Sequence, residues 1–115
     1  MMAKLDVVQA LQSDLDNPGS LKSGEYLVDR ILTTVRRALV AGDRDGVVDA
    51  LREWLNLRQE PQTMLAVTAA KEEQLTELVL EIQALKTDVL AGRSFPKFYL
   101  RWIDEALSAV GGSMP

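Results

Sequence analysis

Four of the six aromatic residues in this 115-residue chain lie within eight positions, where they could form a docking surface. They are Phe95, Phe98, Tyr99 and Trp102. Trp and Tyr are enriched among the residues that dominate binding energy at protein interfaces. Two cations, Lys97 and Arg101, lie between the rings in the sequence and would form the rim of such a surface. The segment therefore predicts an interaction site, with all six residues as candidates.

The same aromatic residues could instead anchor the core of a small domain. On a helix that turns by about 100° per residue, their side chains share one arc, which Leu100, Ile103 and Leu107 extend. The apolar sector then covers about 200°, whereas a helix buried on one side needs about 100°. Two interpretations follow. The last helix lies between two others inside the domain, or one edge of the sector faces another chain.

Lys97, Tyr99, Arg101 and Trp102 also combine cations with rings, as do surfaces that bind single-stranded nucleic acid. Helical geometry points Arg101 well away from Trp102, because adjacent positions do not face each other. The chain has a net charge of −4, and its basic residues form no run longer than a pair. Duplex nucleic acid usually requires a basic stripe. No nucleic-acid partner is therefore predicted.

The segment 41–48, AGDRDGVV, resembles the middle of an EF-hand calcium loop. Four residues fit positions of that loop: Asp43, Asp45, Gly46 and Val48. The first position, normally a carboxylate, is Ala41, and the last, where a bidentate Glu completes the shell, is Arg52. This ligand set falls short of what calcium needs, so no metal site is predicted. The segment is interpreted as a turn in which Asp43 or Asp45 caps a helix.

Several residue types that commonly carry out catalysis are missing. The chain has no cysteine and no histidine, which removes the thiolate nucleophile, the commonest general base and the commonest metal ligand. It also lacks a glycine-rich phosphate loop and a nucleophile elbow. Glu73, Glu77 and Glu81 are spaced to share a helical face, which is typical of a solvated surface. We therefore predict a protein that is not an enzyme, with no catalytic residues and no cofactor.

The composition is typical of a soluble globular protein, with 47% hydrophobic and 26% charged residues. A chain of this length suits one domain, and we predict a single helical domain over 1–110 with a flexible tail over 111–115. The apolar runs are far shorter than the roughly 20 residues that cross a membrane. The N-terminus lacks the apolar region of a signal peptide. These features predict no membrane partner and a cytoplasmic location.

The elements that must position the candidate residues are helices, because apolar residues recur at helical spacing along nearly the whole chain. The pattern predicts an all-α, single-domain antiparallel bundle of about five helices. One of them is expected over about 69–91, and left-handed glycines are expected to end two of them. Whether 61–70 is helix or loop is left open. The expected inward residues are Leu5, Val8, Leu11 and Leu15; Leu27, Val28, Ile31, Leu32, Val35 and Leu39; Val47, Val48, Leu51, Trp54 and Leu55; and Leu75, Leu78, Ile82, Leu85 and Val89.

Residues 28–42 and 78–92 carry similar apolar patterns at an offset of 50 positions, and each is followed by a second amphipathic segment. Two stacked helical hairpins plus an N-terminal helix would explain this internal repeat of the pattern, which we call the internal echo. The step from Ala38 to Leu51 also resembles hairpins of tetratricopeptide and HEAT-type repeats, but it lacks the aromatic and proline positions that make those repeats specific. Unrelated amphipathic helices that end at glycine would give the same echo. A true duplication is therefore left open.

Together these patterns predict a non-enzymatic protein–protein interaction or oligomerisation module. Its partner would be another protein or a second copy of the chain, in a homodimer. The alternative is a helical bundle with an internal pocket for a small molecule or peptide, walled by Trp54, Trp102 and Tyr26.

Overall fold

The computed structural model describes residues 4–16 and 24–111, with side chains over 7–16 and 28–111, and its regular elements are all helical. No strand occurs in these ranges, which confirms the all-α class. Two short 3₁₀ turns, Thr76–Leu78 and Lys97–Tyr99, precede the last two helices. Of the predicted tail, 112–115 lies outside the described residues. The helices are α1 (Lys4–Asp16), α2 (Gly24–Val40), α3 (Arg44–Leu57), α4 (Glu60–Glu72), α5 (Val79–Leu90) and α6 (Leu100–Val110).

The chain divides into two compact units, and the division falls inside α3. Unit 1 is Met1–Ala50 and unit 2 is Leu51–Pro115. The internal echo does not follow this division, because α3, the second helix of its first copy, is split between the units. The single domain over 1–110 and the duplication both stay predictions.

In unit 1, α1 contacts α2 and the two helices bury apolar residues. Leu11, Ile31 and Val35 are buried, as their spacing predicts. Val7 is buried where the spacing favours Val8, which is only half-buried. The other predicted inward residues with described side chains are also only half-buried, namely Leu15, Val28, Leu32 and Leu39. The side chains of Leu5 and Leu27 lie outside the described ones.

The turn from α2 to α3 is tight and carries the acidic residues of the EF-hand-like segment. Gly42 has a φ of +85°, the left-handed conformation expected of a helix-ending glycine. The amide of Asp43 then donates to the carbonyl of Ala38 at 2.9 Å. The side chain of Asp43 is buried and folds back over the first turn of α3, against Gly46. This arrangement agrees with a turn in which an aspartate sits at the start of a helix.

The helix predicted over about 69–91 is wrong, because the chain breaks after α4 and restarts at α5. Gln74 has a left-handed φ of +51° at the break. The amide of Leu75 then donates to the carbonyl of Ala70 at 3.0 Å. The predicted apolar residues are all buried nevertheless, because the 3₁₀ turn before α5 preserves their inward placement. A regular apolar spacing thus concealed the interruption.

The segment 61–70, left open by the sequence, lies within α4. Pro61 is in the first turn of this helix, where its missing N–H costs no hydrogen bond. Together with the break after α4, this gives six α-helices in the described ranges where about five are predicted.

The break also separates the three glutamates that are predicted to share a helical face. Glu73 follows α4, Glu77 is in the 3₁₀ turn and Glu81 is in α5. The side chain of Glu81 is largely buried, and its carboxylate accepts a hydrogen bond from Arg52. The continuous solvated acidic face is therefore corrected to separate residues with different surroundings.

Ion pairs fix the relative direction of α3 and α5 in unit 2. Arg52 in α3 binds Glu81 in α5. Just after the end of α3, Arg58 binds Asp88, farther along α5, at 2.9 Å. Because both pairs follow the same order along the two helices, α3 and α5 run parallel.

The same reasoning applies to α4 and α6. Glu60 at the start of α4 contacts Tyr99 just before α6, and Lys71 near the end of α4 contacts Glu105 within α6. These two helices are therefore also parallel. In contrast, α6 contacts the turn before α5, and the turn before α6 contacts α5 itself, so α5 and α6 run antiparallel.

Unit 2 therefore contains two helical hairpins in the same orientation, one formed by α3 from Leu51 onward with α4 and the other by α5 with α6. The predicted antiparallel packing holds for α5 and α6 but is wrong for α4 and α6, which pack in parallel. Both hairpins contribute large side chains to the buried interior of the unit. Its fully or almost fully buried residues include Leu51, Trp54, Leu55, Leu75, Leu78, Ile82, Leu85, Val89 and Ile103.

Candidate protein interface

The candidate residues lie in the connection between α5 and α6 and in the first turn of α6. Gly92 ends α5 with a φ of +77°. Phe95 is also left-handed, with a φ of +58°, a conformation that is strained for a bulky residue. Pro96 returns the chain to an extended conformation before the 3₁₀ turn Lys97–Tyr99. This path brings all four aromatic residues to the start of α6.

The four rings touch one another and form one aromatic cluster, consisting of Phe95, Phe98, Tyr99 and Trp102. Phe98 stacks on Tyr99 with ring centroids 4.5 Å apart and planes inclined by 30°. Trp102 lies edge-on to Phe98 at 6.2 Å and tilted against Tyr99 at 5.5 Å. Phe95 approaches Tyr99 edge-on at 5.7 Å. Tyr99 is therefore the centre of the cluster, and its contacts hold the other rings in place.

The aromatic cluster lies on the surface of unit 2, and α6 buries its opposite edge. Phe98 is 63% exposed and Trp102 is 47% exposed. The inward face of α6 is instead formed by Ile103, Ala106, Leu107 and Val110, which are all buried. The broad apolar sector predicted from the sequence is thus divided between an interior edge and an exposed edge.

A hydrogen bond ties the cluster to α4. The hydroxyl of Tyr99 donates to a carboxylate oxygen of Glu60 at 2.8 Å. This bond, together with partial desolvation, raises the pKa of the Tyr99 phenol, because ionisation would remove the donor and oppose the Glu60 charge. The phenol therefore stays protonated around neutral pH and keeps the central ring anchored to the neighbouring hairpin.

The two predicted rim cations are both exposed. The side chain of Arg101 is 84% exposed and lies 3.5 Å from a carboxylate oxygen of Glu105. Lys97 makes no ion pair with any residue that the structure describes. Lys97 is therefore available to a ligand that approaches the cluster, and Arg101 is accessible within its exposed pair with Glu105.

Beside this cluster, Asp88 links two inter-helix connections. Its carboxylate accepts hydrogen bonds from Arg58 at 2.9 and 3.0 Å and from Arg93 at 2.8 and 3.0 Å. Arg58 occupies a left-handed position with a φ of +56°, from which its guanidinium also reaches the carbonyl of Leu55. The hydrogen bonds from Arg93, then those from Arg58, lower the pKa of Asp88 below its ordinary value of 3.8.

We expect Asp88→Asn to destabilise the protein at neutral pH and to have little effect in acid. A carboxyl whose folded pKa is depressed stabilises the fold above its unfolded pKa and loses that contribution as the pH falls through its folded pKa. The difference in free energy of unfolding between wild type and variant should thus be largest above about pH 5 and should shrink as the pH falls through the depressed folded pKa of Asp88. Urea unfolding followed by circular dichroism at a series of pH values measures this difference.

The matched control is Asp104→Asn, which removes a carboxylate that is half-exposed and has one ion-pair partner, Lys86. Its pH dependence should be much smaller than that of Asp88→Asn, because exposed single pairs contribute little. Equal pH profiles for the two variants would contradict the role given to Asp88.

Sequence reasoning missed several residues that accompany the aromatic cluster. Leu57 ends α3 and is 46% exposed, and Leu90 ends α5 and is 53% exposed. The exposure of these two leucines could have been predicted, because each lies off the predicted apolar stripe of its helix. The contacts of Glu60 with Tyr99 and of Arg58 with Asp88 had no such signal, because they depend on the parallel placement of the hairpins.

The pocket predicted as the alternative site does not gain support from its tryptophans. Trp54 is almost fully buried, whereas Trp102 is on the surface of unit 2. The Tyr26 side chain lies outside the described ones. A cavity of about 350 Å³ does occur in unit 1, and it is lined by Asp14, Asp29, Arg30, Thr33, Thr34 and Arg37.

This cavity is polar, and its groups already bind each other. Asp14 accepts from the hydroxyl of Thr34 and lies 3.5 Å from the guanidinium of Arg30. Small-molecule sites are mostly apolar with a few polar groups. The cavity therefore lacks the apolar wall that the alternative requires.

Among the described side chains, no group of three or more acidic residues is placed to hold a metal ion. None of the described helices combines the length and the apolar character needed to cross a bilayer.

No protein-family model, no curated protein and no solved structure matches the chain.

Proposed function

We propose that the protein is a non-enzymatic protein–protein interaction module that binds its partner through the aromatic cluster. The observation that carries the proposal is the exposure of Phe98 and Trp102, while the other edge of α6 is buried. The partner is another protein or a second copy of the chain.

Covering two large exposed rings with a partner would contribute favourable free energy to binding. Aromatic side chains bury about 150–250 Å² each when they are covered. Single exposed apolar residues are common on soluble proteins, but rings that touch one another on a surface are typical of binding sites. Trp and Tyr also dominate the binding energy of protein interfaces. Covering the exposed edge of the cluster would therefore supply binding energy to a complex.

The cluster is also held in place before a partner arrives. Tyr99 contacts the three other rings and is hydrogen-bonded to α4. A surface that is already ordered loses less side-chain entropy on binding. This pre-organisation supports recognition of a partner more than a role as a loosely packed edge of the core.

The proposal is tested with Phe98→Ala and Trp102→Ala, with Leu80→Ala as the control. Leu80 is 72% exposed near the start of α5, away from the cluster. We expect each variant to keep its helical circular dichroism and to lose less than about 1.5 kcal/mol of stability. Losses of about 3 kcal/mol or more would identify Phe98 and Trp102 as core anchors and contradict the proposal.

Light scattering after size exclusion identifies which partner is used. A second copy would give twice the 12.7 kDa chain mass, and Trp102→Ala, but not Leu80→Ala, would return the protein to a single chain mass. A single mass for the wild type at high micromolar concentration would contradict the predicted homodimer and leave a different protein as partner.

A further inference from the structure

We propose that the aromatic cluster binds a short acidic amphipathic segment of another protein. This inference rests on the proposed function, since it names the chemistry of the partner for the same surface. It follows from which residues the two parallel hairpins bring to one end of unit 2.

Four contacts place the end of α3, the start of α4, the end of α5 and the start of α6 together. Arg58 binds Asp88 across α3 and α5, and Arg93 binds the same carboxylate. Tyr99 binds Glu60, and the 3₁₀ turn before α6 contacts α5. We call this set of residues, 57–60 and 88–102, the aromatic end of unit 2.

The aromatic end is positively charged on a chain that is negative overall. It carries four cations, Arg58, Arg93, Lys97 and Arg101, and two carboxylates, Glu60 and Asp88. Its net charge is therefore +2, whereas the whole chain has −4.

Both carboxylates are occupied, and Arg58 and Arg93 are engaged with Asp88, which leaves Lys97 and Arg101 as the accessible charges. Glu60 accepts from Tyr99, and Asp88 accepts from two arginines. Lys97 has no ion pair with a described residue, and Arg101 extends into solvent. A partner carboxylate would contact Lys97 without displacing an existing pair, and it would compete with Glu105 for the exposed side chain of Arg101.

Apolar side chains of the same end select a segment that is also apolar. Besides Phe98 and Trp102, the leucines that end α3 and α5 are about half exposed. Across the 3₁₀ turn and the first turn of α6, Lys97 and Arg101 lie four residues apart, and they are offset by about 100° around the axis from Phe98 and Trp102. A segment with an apolar face beside an acidic edge matches both pairs at once, as amphipathic helices do in grooves.

A second copy of the chain fits the aromatic end less well. A two-fold contact places the same surface on both sides, so a patch with a net charge of +2 would face another with a net charge of +2. Phe98 and Trp102 together expose on the order of 200 Å², whereas a stable interface buries about 800 Å² on each partner. A short segment needs less area than a folded copy and supplies the opposite charge.

The experiment is a selection from a randomised library of peptides of about 16 residues, displayed on phage and captured on the full-length protein. Peptides that also bind the Phe98→Ala/Trp102→Ala double variant are removed. We expect the remaining sequences to be enriched in Asp and Glu together with Leu, Phe or Trp. Enrichment of neutral or basic sequences that still need Phe98 and Trp102 would overturn the acidic partner but leave the proposed function intact.

One enriched peptide, labelled with fluorescein, is then measured by fluorescence anisotropy against a copy in which every Glu is Gln and every Asp is Asn. We expect the neutral copy to bind at least about tenfold more weakly. The acidic peptide should also bind more weakly as salt rises from about 0.05 to 0.5 M. Equal affinity of the two peptides would overturn the inference.

Protein variants complete the test. Lys97→Gln/Arg101→Gln should weaken the acidic peptide, while Arg37→Gln, which removes an exposed arginine of α2, should not. The protein is also tested against anionic phosphatidylserine vesicles and oligo-dT. If either binds through Phe98 and Trp102 and no peptide is enriched, both proposals are overturned in favour of a membrane or nucleic-acid surface. If no ligand depends on Phe98 and Trp102 and the wild type is monomeric, both proposals also fail.

Discussion

Replacing Trp54 with alanine should remove about 3–5 kcal/mol from the free energy of unfolding, a large part of the 5–15 kcal/mol typical of a small domain. The indole is 2% exposed in the interior of unit 2. Its backbone carbonyl accepts a hydrogen bond from the buried hydroxyl of Thr63, so the residue also fixes the start of α4 against α3. Alanine would leave a cavity among rigid neighbours. Urea unfolding followed by circular dichroism measures the loss.

Trp102→Ala is the matched control, because it makes the same chemical change at a half-exposed site. Its loss should be less than about 1.5 kcal/mol, mostly from the ring contacts with Phe98 and Tyr99. Similar losses for the two tryptophans would mean that Trp102 contributes to the core as much as Trp54 does, and would contradict the assignment of the cluster to the surface.

Gly46→Ala should destabilise the protein by up to about 2 kcal/mol, although alanine in a helix is normally preferred over glycine by about 1 kcal/mol. A Cβ at this position would lie 2.9 Å from both carboxylate oxygens of Asp43. Asp43 is only 5% exposed, so its short side chain has no free space into which to turn. Overpacking of this kind costs about 1–3 kcal/mol, which exceeds the gain in helix propensity.

The reason for this loss can be isolated with Asp43→Ser as a second background. Serine keeps an oxygen at the start of α3 but is shorter, so the clash with a Cβ at residue 46 is removed. In that background Gly46→Ala should be neutral or stabilising. A thermal or urea unfolding cycle of the four proteins gives the coupling energy. Equal destabilisation in both backgrounds would show that Asp43 is not the cause.

Buried residues followed well from the sequence on α3 but less well on α2. All five residues predicted inward on α3 are buried, from Val47 to Leu55, whereas three of the five described ones on α2 are only half-buried. Gly42 ends α2 in the expected left-handed conformation, and Gly92 ends α5 in the same conformation. These features depend on local spacing and on the absence of a Cβ, which the sequence states directly.

The break between α4 and α5 did not follow, because its turn residue gives no local signal. Gln74 takes the left-handed position that glycine usually fills. The stripe continues through the break without a missed position, so periodicity alone cannot detect it. Arg58 and Phe95 also hold left-handed positions between helices, and neither residue type announces such a turn.

The candidate site was predictable only in part. The clustering of aromatic residues was visible in the sequence, but the side of α6 that is buried depends on α4 and α5, which pack on it from elsewhere in the chain. The link between Tyr99 and Glu60 joins residues far apart in the sequence. Such contacts arise from the parallel placement of the hairpins, for which spacing along one helix holds no information.

The parallel placement of the two hairpins also bears on which fragments of the chain can stand alone. Arg52, Arg58, Glu60 and Lys71 in the first hairpin each bind a residue of the second. A chain cut between α4 and α5 would leave these groups without their partners and would uncover the apolar faces that the hairpins share. We therefore expect neither hairpin to fold as a stable fragment when it is expressed without the other.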